Sequence, residues 1–234
     1  MSADVPPIEP APRSPEAGAA REEPGDAARR RRAPELERVI VFTDAVVAIA
    51  LTLLVLDLRL PAGYYRTDAS LQAALRALLP NFMAFAVSFT VISVWWWTNH
   101  RMFRKVYRYD GGLLALDIVW LATIVFLPFP TAVLSNTTGL PTAAALYACA
   151  NGAVGLANVA LLVYLRRRSL VEPPMTPATF RVRLSVAVIF PAVFFLSVPV
   201  AFLVGSTAAQ LSWFLAALVP WAVVSVERRM WGPD

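Results

Sequence analysis

The chain has 234 residues, of which 58% are hydrophobic and 16% are charged, and its formal net charge is +5. A soluble domain usually carries about 45–50% apolar and about 25% charged residues, so this composition indicates a membrane protein. The positive charge does not call for a nucleic-acid partner, because arginines beside apolar spans set orientation in a bilayer. One cysteine, Cys149, and one histidine, His100, exclude an internal disulfide and any cysteine- or histidine-cluster metal site.

Residues 1–34 are rich in Pro, Ala, Glu and Arg and have no hydrophobic period. Such a segment cannot bury enough apolar surface to offset the entropy of ordering, so we predict a disordered cytoplasmic tail. It does not resemble a secretory signal peptide, because charges occupy the place of the apolar region. The run from Arg29 to Arg32 favours contact with anionic headgroups or retention of this end in the cytoplasm.

Residues 35–234 are predicted to form one all-α membrane domain with six transmembrane helices. A helix needs about 20 residues to cross about 30 Å of hydrocarbon, and six apolar stretches approach that length. Pro191 and Pro199 are expected to kink the fifth helix, and Pro220 lies in the shortest, sixth one. The approximate spans are 39–58, 78–97, 113–134, 142–165, 184–204 and 210–226.

The charges of the loops support this number of spans. If the helices alternate in direction, one side of the membrane receives the basic segments 100–108 and 166–183 and the C-terminal pair Arg228 and Arg229. The opposite side receives two short loops without Arg or Lys, although the first outer loop carries Arg59 and Arg66. This asymmetry is typical of the positive-inside rule and predicts that both termini are cytoplasmic.

Three ionisable residues lie at or inside predicted spans. Asp44 lies about one turn into the first helix, where it is either a cap that stabilises the helix dipole or part of a mechanism. His100 ends the second helix, either within an interfacial aromatic belt or as a partner of Asp44 or Arg38. Asp117, in the third helix, is expected to pair with Arg101 or Arg104 in a structural role.

The first helix carries a mainly apolar stripe on one face. Its members follow the spacing i, i+3, i+4 and i+7 of a helical stripe. Packing against lipid or a neighbouring helix is the more frequent cause of such a stripe, because almost any span rich in Leu and Ile contains one. The stripe consists of Ile49, Thr52, Leu53 and Leu56.

The sequence contains no nucleotide-binding glycine loop, zinc-binding helix motif or serine-nucleophile elbow, so we do not expect an enzyme. Asn151, Gly152, Gly155 and Asn158 favour close helix packing and hydrogen bonds between helices. A proton-coupled carrier that uses Asp44, Asp117 and His100 remains an alternative, although the halves of the chain show no internal repeat of the kind typical of carriers. A non-conducting scaffold is a further alternative.

The polar opening of the first helix resembles a known signature. Its spacing is similar to the R-x-x-x-F-S-D motif of the transmembrane protein 175 family, with Thr in place of Ser, and a W-x-x-H pair ends the second helix. "FLPFPT" in the third helix is also similar to the family. The residues that carry the resemblance are Arg38, Phe42, Thr43, Asp44, Trp97 and His100.

The resemblance implies a potassium-preferring cation channel in the cell membrane, without a cofactor other than the permeant potassium ion. It implies a homotetramer in which the first helices surround a central pore, with a hydrophobic gate in place of a carbonyl filter. By position, Ile49, Leu53 and Leu56 would form narrow apolar layers beside a polar ring of Thr52. Arg38, Thr43, Asp44 and His100 would form a network that holds the first helix.

Overall fold

The computed structural model describes residues 24–60, 62–63, 65–137 and 139–213, with the backbone alone for residues 24–34. In this part of the chain the regular structure is entirely helical. The predicted all-α class is therefore confirmed. The helices are α1 (Pro24–Leu53), α2 (Asp68–Ala77), α3 (Leu79–Phe103), α4 (Gly111–Phe126), α5 (Pro128–Asn136), α6 (Pro141–Arg167) and α7 (Pro177–Leu203).

Five helical segments in the described residues are long and apolar enough to cross a membrane. They correspond to the first five predicted spans. The predicted sixth span, 210–226, lies mostly outside the described residues, of which 206–213 are helical. The five segments are Glu35–Asp57, Leu79–Phe103, Gly111–Asn136, Pro141–Arg167 and Pro177–Leu203.

Helix α1 begins at Pro24, inside the predicted tail 1–34. Proline is common at the first helical position because its missing N–H is not needed there, and the Ala and Arg residues that follow are strong helix formers. The last turn of the span tightens into a 3₁₀-helix, Leu54–Asp57. The Arg59 Nε atom then donates to the Leu56 carbonyl over 2.8 Å, which satisfies one of the free acceptors at this helix end.

The structure adds two features that were not predicted. The first outer loop contains α2, whose start is fixed by a capping box in which Thr67 and Ser70 bond to each other's backbone N–H groups. The third span is divided into α4 and α5 at Leu127 and Pro128. Pro128 has no N–H to donate, and its ring would clash with the preceding turn of a continuous helix.

Helices α6 and α7 form the most extensive contact between helices in the described residues. The glycines Gly152 and Gly155 lie directly against Phe195 and Pro191, so that a Cβ atom on Gly155 would lie 2.8 Å from the Pro191 Cβ. The predicted close packing at these glycines is present. Among the described residues, the Asn151 Nδ2 atom donates to the Tyr147 carbonyl of its own helix and not to another helix.

Helix α4 packs on α6, and α1 packs on α3 and α4 at the edge of the bundle. The buried side of α1 consists of residues at helical spacing, i, i+4, i+7 and i+11. The opposite side of the helix, which includes Ile49, is exposed in the single chain. The four buried residues are Thr43, Val47, Ala50 and Leu54.

Candidate functional site

A buried carboxylate joins three helices near the start of α4. The Thr43 hydroxyl on α1 donates to Asp117 Oδ2 on α4 over 2.7 Å. The Asn99 amide on α3 lies 3.5 Å from Asp117 Oδ1, within weak hydrogen-bonding range. All three side chains are buried. Hydrogen bonds are stronger in a dry site than in water, so Asp117 attaches α1 and α3 to α4.

The pairing of Asp117 with Arg101 or Arg104 was wrong. The carboxylate accepts from Thr43 and Asn99 instead. Asn99 is buried between the helices, whereas Arg101 is only partly buried and Arg104 is exposed. The sequence signal for this contact was Asn99, a short amide side chain that follows the aromatic run of residues 95–97.

A second carboxylate holds the adjacent side of α1. The Trp96 indole N–H on α3 donates to Asp44 Oδ1 over 2.7 Å. The His100 Nδ1 atom lies 3.5 Å from the same oxygen, without hydrogen-bond geometry. The rings of Trp96 and His100 are 5.4 Å apart between centroids. Thr43 and Asp44, which are consecutive in the sequence, thus attach α1 to α4 and α3 respectively.

Three residues of the recognised motif lie on the outside of this chain. Phe42 and Trp97 are exposed, with 53% of Trp97 accessible. Arg38 is also exposed and lines an open groove with Glu37, Val41, Phe42 and Ala45. Within the described part of one chain, Arg38 is therefore not brought to Thr43, Asp44 or His100. Trp96, the donor to Asp44, is a residue that the sequence analysis did not identify.

The basic side of the bundle carries one perturbed phenol. Tyr109 lies in the loop before α4, outside the membrane-spanning segments. Burial raises the pKa of this phenol, and the negative charges of Asp117, Glu35 and Asp110 raise it further. Tyr109 is therefore neutral at physiological pH.

The predicted pore residues share the side of α1 that points away from the buried stripe. Ile49, Thr52, Leu53 and Leu56 are all exposed in the single chain. At 100° per residue, Ile49 and Leu56 lie roughly opposite Val47 and Leu54 around the helix. The Thr52 hydroxyl donates to the Ile49 carbonyl over 2.7 Å. Its oxygen therefore keeps lone pairs that can accept from water or contact a cation.

The arrangement of these side chains is suited to positioning a helix. Among the residues that the structure describes, no three His, Cys, Asp or Glu side chains lie close enough to hold a metal ion. The two carboxylates face donors on neighbouring helices, so their role in the single chain is to fix the rotation of α1. The fold and this site define an all-helical membrane protein with an apolar, unpacked face on its first spanning helix.

Comparison with known proteins identifies the family. Residues 38–128 match the model for the endosomal/lysosomal potassium channel TMEM175. A Streptomyces collinus protein named as a potassium channel is 36% identical over 148 residues, which are 62% of this chain and 71% of that protein. This chain belongs to the TMEM175 family. Matches to two other bacterial potassium channels cover 50% and 46% of those proteins.

Two further comparisons bear on fold and function. The crystal structure of a lysosomal potassium-selective channel TMEM175 homologue from Chamaesiphon minutus aligns with a TM-score of 0.70 and 26% identity. The alignment covers 81% of this chain and 97% of that one. The human endosomal/lysosomal proton channel TMEM175 is 36% identical over 98 residues, which are 39% of this chain and only 19% of the human protein.

Proposed function

We propose that this protein is a potassium-preferring cation channel that conducts passively through a pore between four identical subunits. The bacterial relatives named as potassium channels support the choice of ion. The family is one of channels, which accords with the expectation that the chain is not an enzyme. No cofactor is part of the proposal: the permeant ion is the substrate.

The observation that carries the proposal is the division of α1 into two opposite faces. Thr43 and Val47 are buried against the protein's own helices, whereas Ile49 is 60% exposed. The carboxylates Asp44 and Asp117 fix this rotation through α3 and α4. Polar bonds inside an apolar bundle thus fix the rotation of α1. This supports a function for its outward face other than contact with lipid.

Fourfold association would place four copies of this face around one axis. Rings of Ile49, Leu53 and Leu56 would then form apolar constrictions without charge. Such a constriction gates by dewetting, because a small change in radius decides whether water and ions fill it. The Thr52 hydroxyls would contribute a polar ring between them, where their free lone pairs replace part of the hydration of potassium.

The proposed topology has six spans in the cell membrane with both termini in the cytoplasm. The loops before α4 and before α7 meet in the structure, since Tyr107 N donates to the Leu170 carbonyl over 3.0 Å. Their meeting supports the alternation of helix direction. Both loops are basic, which supports placing this side of the bundle in the cytoplasm.

Potassium flux into liposomes tests the channel proposal. Ile49→Asn should raise the flux of the reconstituted protein about tenfold or more, because a polar side chain relieves dewetting at the constriction. The matched control is Ile118→Asn on α4, since Ile118 is 52% exposed and lies outside the proposed pore. Equal flux in the wild type and both variants would remove Ile49 from the ion path.

Proton conduction through Asp44, Asp117 and His100 is the second candidate. It is favoured by the animal relatives, which are named as proton channels. The contacts of the acids support it less, because Trp96 donates to Asp44 and Thr43 donates to Asp117. The His100 side chain lies 3.5 Å from Asp44 without a hydrogen bond. Dissipation of a pH gradient in potassium-free liposomes that is abolished by Asp44→Asn and Asp117→Asn would establish this alternative.

A further inference from the structure

Two basic segments are joined at one end of the helix bundle. Val106 and Val171 form an isolated antiparallel bridge between the loop after α3 and the loop after α6. On either side of it, Tyr107 N donates to the Leu170 carbonyl, and Glu172 N donates to the Lys105 carbonyl over 2.9 Å. These backbone bonds hold the two loops at a fixed distance and make a single surface of them.

This surface has a strong excess of positive charge. Residues 101–110 include four basic and one acidic residue, and residues 164–183 include five basic and one acidic residue. The acid of the first segment, Asp110, is engaged: it caps α4 through Leu113 N and accepts from the Tyr164 hydroxyl. The exposed members, which we call the basic collar, are Arg104, Lys105, Arg108, Arg167, Arg168 and Arg181.

Aromatic rings contact two arginines on this side of the bundle. The Arg168 guanidinium lies 5.7 Å from the centroid of the Tyr164 ring, and that of Arg166 lies 6.0 Å from the Phe180 ring. Contacts of this kind hold a guanidinium in place by cation–π attraction, while its N–H groups remain available to an anion. The arginines at the end of α6 are thus partly ordered before a ligand arrives.

The collar is continuous with an apolar face that can accept acyl chains. Arg181 is the first member of an exposed stripe on α7 that continues through Val182, Ser185, Val188 and Ile189. In a spanning helix this stripe lies at the depth of the hydrocarbon, and the arginine at its end extends to the level of the headgroups. A cation directly above an apolar stripe is complementary to an anionic phospholipid, in which a negative headgroup lies above the acyl chains.

We propose that the basic collar binds anionic phospholipid in the leaflet that meets this side of the bundle. The phosphate would lie between Arg167, Arg168 and Arg181, with its acyl chains along the exposed stripe of α7. Basic residues near an anionic membrane surface each contribute to such attraction, and clusters between helices are typical headgroup sites. The proposal is independent of ion conduction and of the identity of the permeant ion.

The test is the binding of phosphatidylglycerol and phosphatidylcholine to the purified full chain, measured by native mass spectrometry of the detergent-solubilised assembly. Wild type should bind phosphatidylglycerol at least about tenfold more tightly than phosphatidylcholine. Replacing Arg167, Arg168 and Arg181 together with Gln should abolish this preference. Replacing the same three with Lys should keep it within a few-fold, because the charge remains.

The matched control removes three arginines from the other side of the bundle, Arg59, Arg66 and Arg76, by substitution with Gln. It should keep the preference for phosphatidylglycerol. An unchanged preference in the collar Gln variant, or an equal loss in the control, would overturn the proposal. So would equal binding of free glycerol phosphate, which lacks acyl chains.

The wild type alone provides a test that does not depend on the folding of any variant. Raising the salt concentration from 50 to 500 mM should weaken phosphatidylglycerol binding severalfold and leave phosphatidylcholine binding unchanged. A salt-independent preference would mean that the acyl chains, and not the collar, select the lipid.

Discussion

Thr43 on α1 donates a 2.7 Å hydrogen bond to Asp117 Oδ2 on α4, although 74 residues separate them in the chain, and both side chains are buried. Asp44, the next residue, accepts the indole N–H of Trp96 on α3. Two consecutive residues therefore attach α1 to two different helices. The rotation of α1, and with it the direction of Ile49, depends on these bonds.

Removing the Thr43 hydroxyl should destabilise the protein. Thr43→Val keeps the shape of the side chain but leaves Asp117 with only the long contact to Asn99, so we expect a loss of about 1–3 kcal/mol in the free energy of unfolding. Thr43→Ser should retain most of that stability, because its hydroxyl can still donate. Thermal unfolding in detergent measures the stability of both variants. Equal stability of Thr43→Val and the wild type would argue against this bond.

The indole of Trp96 should contribute more to the stability of the protein than the indole of Trp97. Trp96→Phe removes the donor to Asp44 and should cost about 1–3 kcal/mol. Trp97→Phe removes the same atoms from an exposed position and should cost less than about 0.5 kcal/mol. Chemical denaturation of the two variants side by side gives the comparison. A larger loss of stability in Trp97→Phe than in Trp96→Phe would contradict the anchoring role of Trp96.

The close approach of α6 and α7 should not tolerate a methyl group. In Gly155→Ala the new Cβ would lie 2.8 Å from Pro191 Cβ, so one helix must shift, at a cost of about 1–3 kcal/mol. Gly111→Ala is the control, because nothing lies within 4 Å of a Cβ there. Thermal midpoints of the two variants test this difference. A stable Gly155→Ala protein would show that the contact has room to relax.

The hydroxyl of Thr52 should affect conduction. Thr52→Val removes the oxygen at nearly constant volume, and we expect potassium flux in liposomes to fall about five- to tenfold. Thr52→Ser keeps the oxygen and should conduct within about twofold of the wild type. Flux that is the same in Val and wild type would mean that the ion does not contact this residue.

The sequence was sufficient to predict the five spans that the structure describes, because runs of apolar residues at membrane length have few alternative structures. It did not predict α2 or the break at Leu127 and Pro128. Both depend on local capping and on a missing N–H, and neither changes the hydrophobic pattern. The helix ends also extend beyond the apolar runs: α3 continues to Phe103, six residues past the predicted end at residue 97.

The partners of the two carboxylates were beyond the reach of sequence patterns. A spanning helix is apolar on all sides, so periodicity does not reveal which side packs against its neighbours. Asp117 could be recognised as a buried acid, but its contact with Thr43 depends on how α1 is rotated against α4. The same limitation explains why Trp96 was not predicted as the donor to Asp44.

The central claim is that the exposed face of α1 surrounds the ion path. A cryo-electron microscopy structure of the assembled protein in lipid nanodiscs tests it most directly. Our account predicts four subunits with the side chains of Ile49, Leu53 and Leu56 nearest to the symmetry axis and the Thr52 hydroxyl beside them. An assembly in which this face of α1 contacts lipid, with a different helix at the axis, would contradict the account.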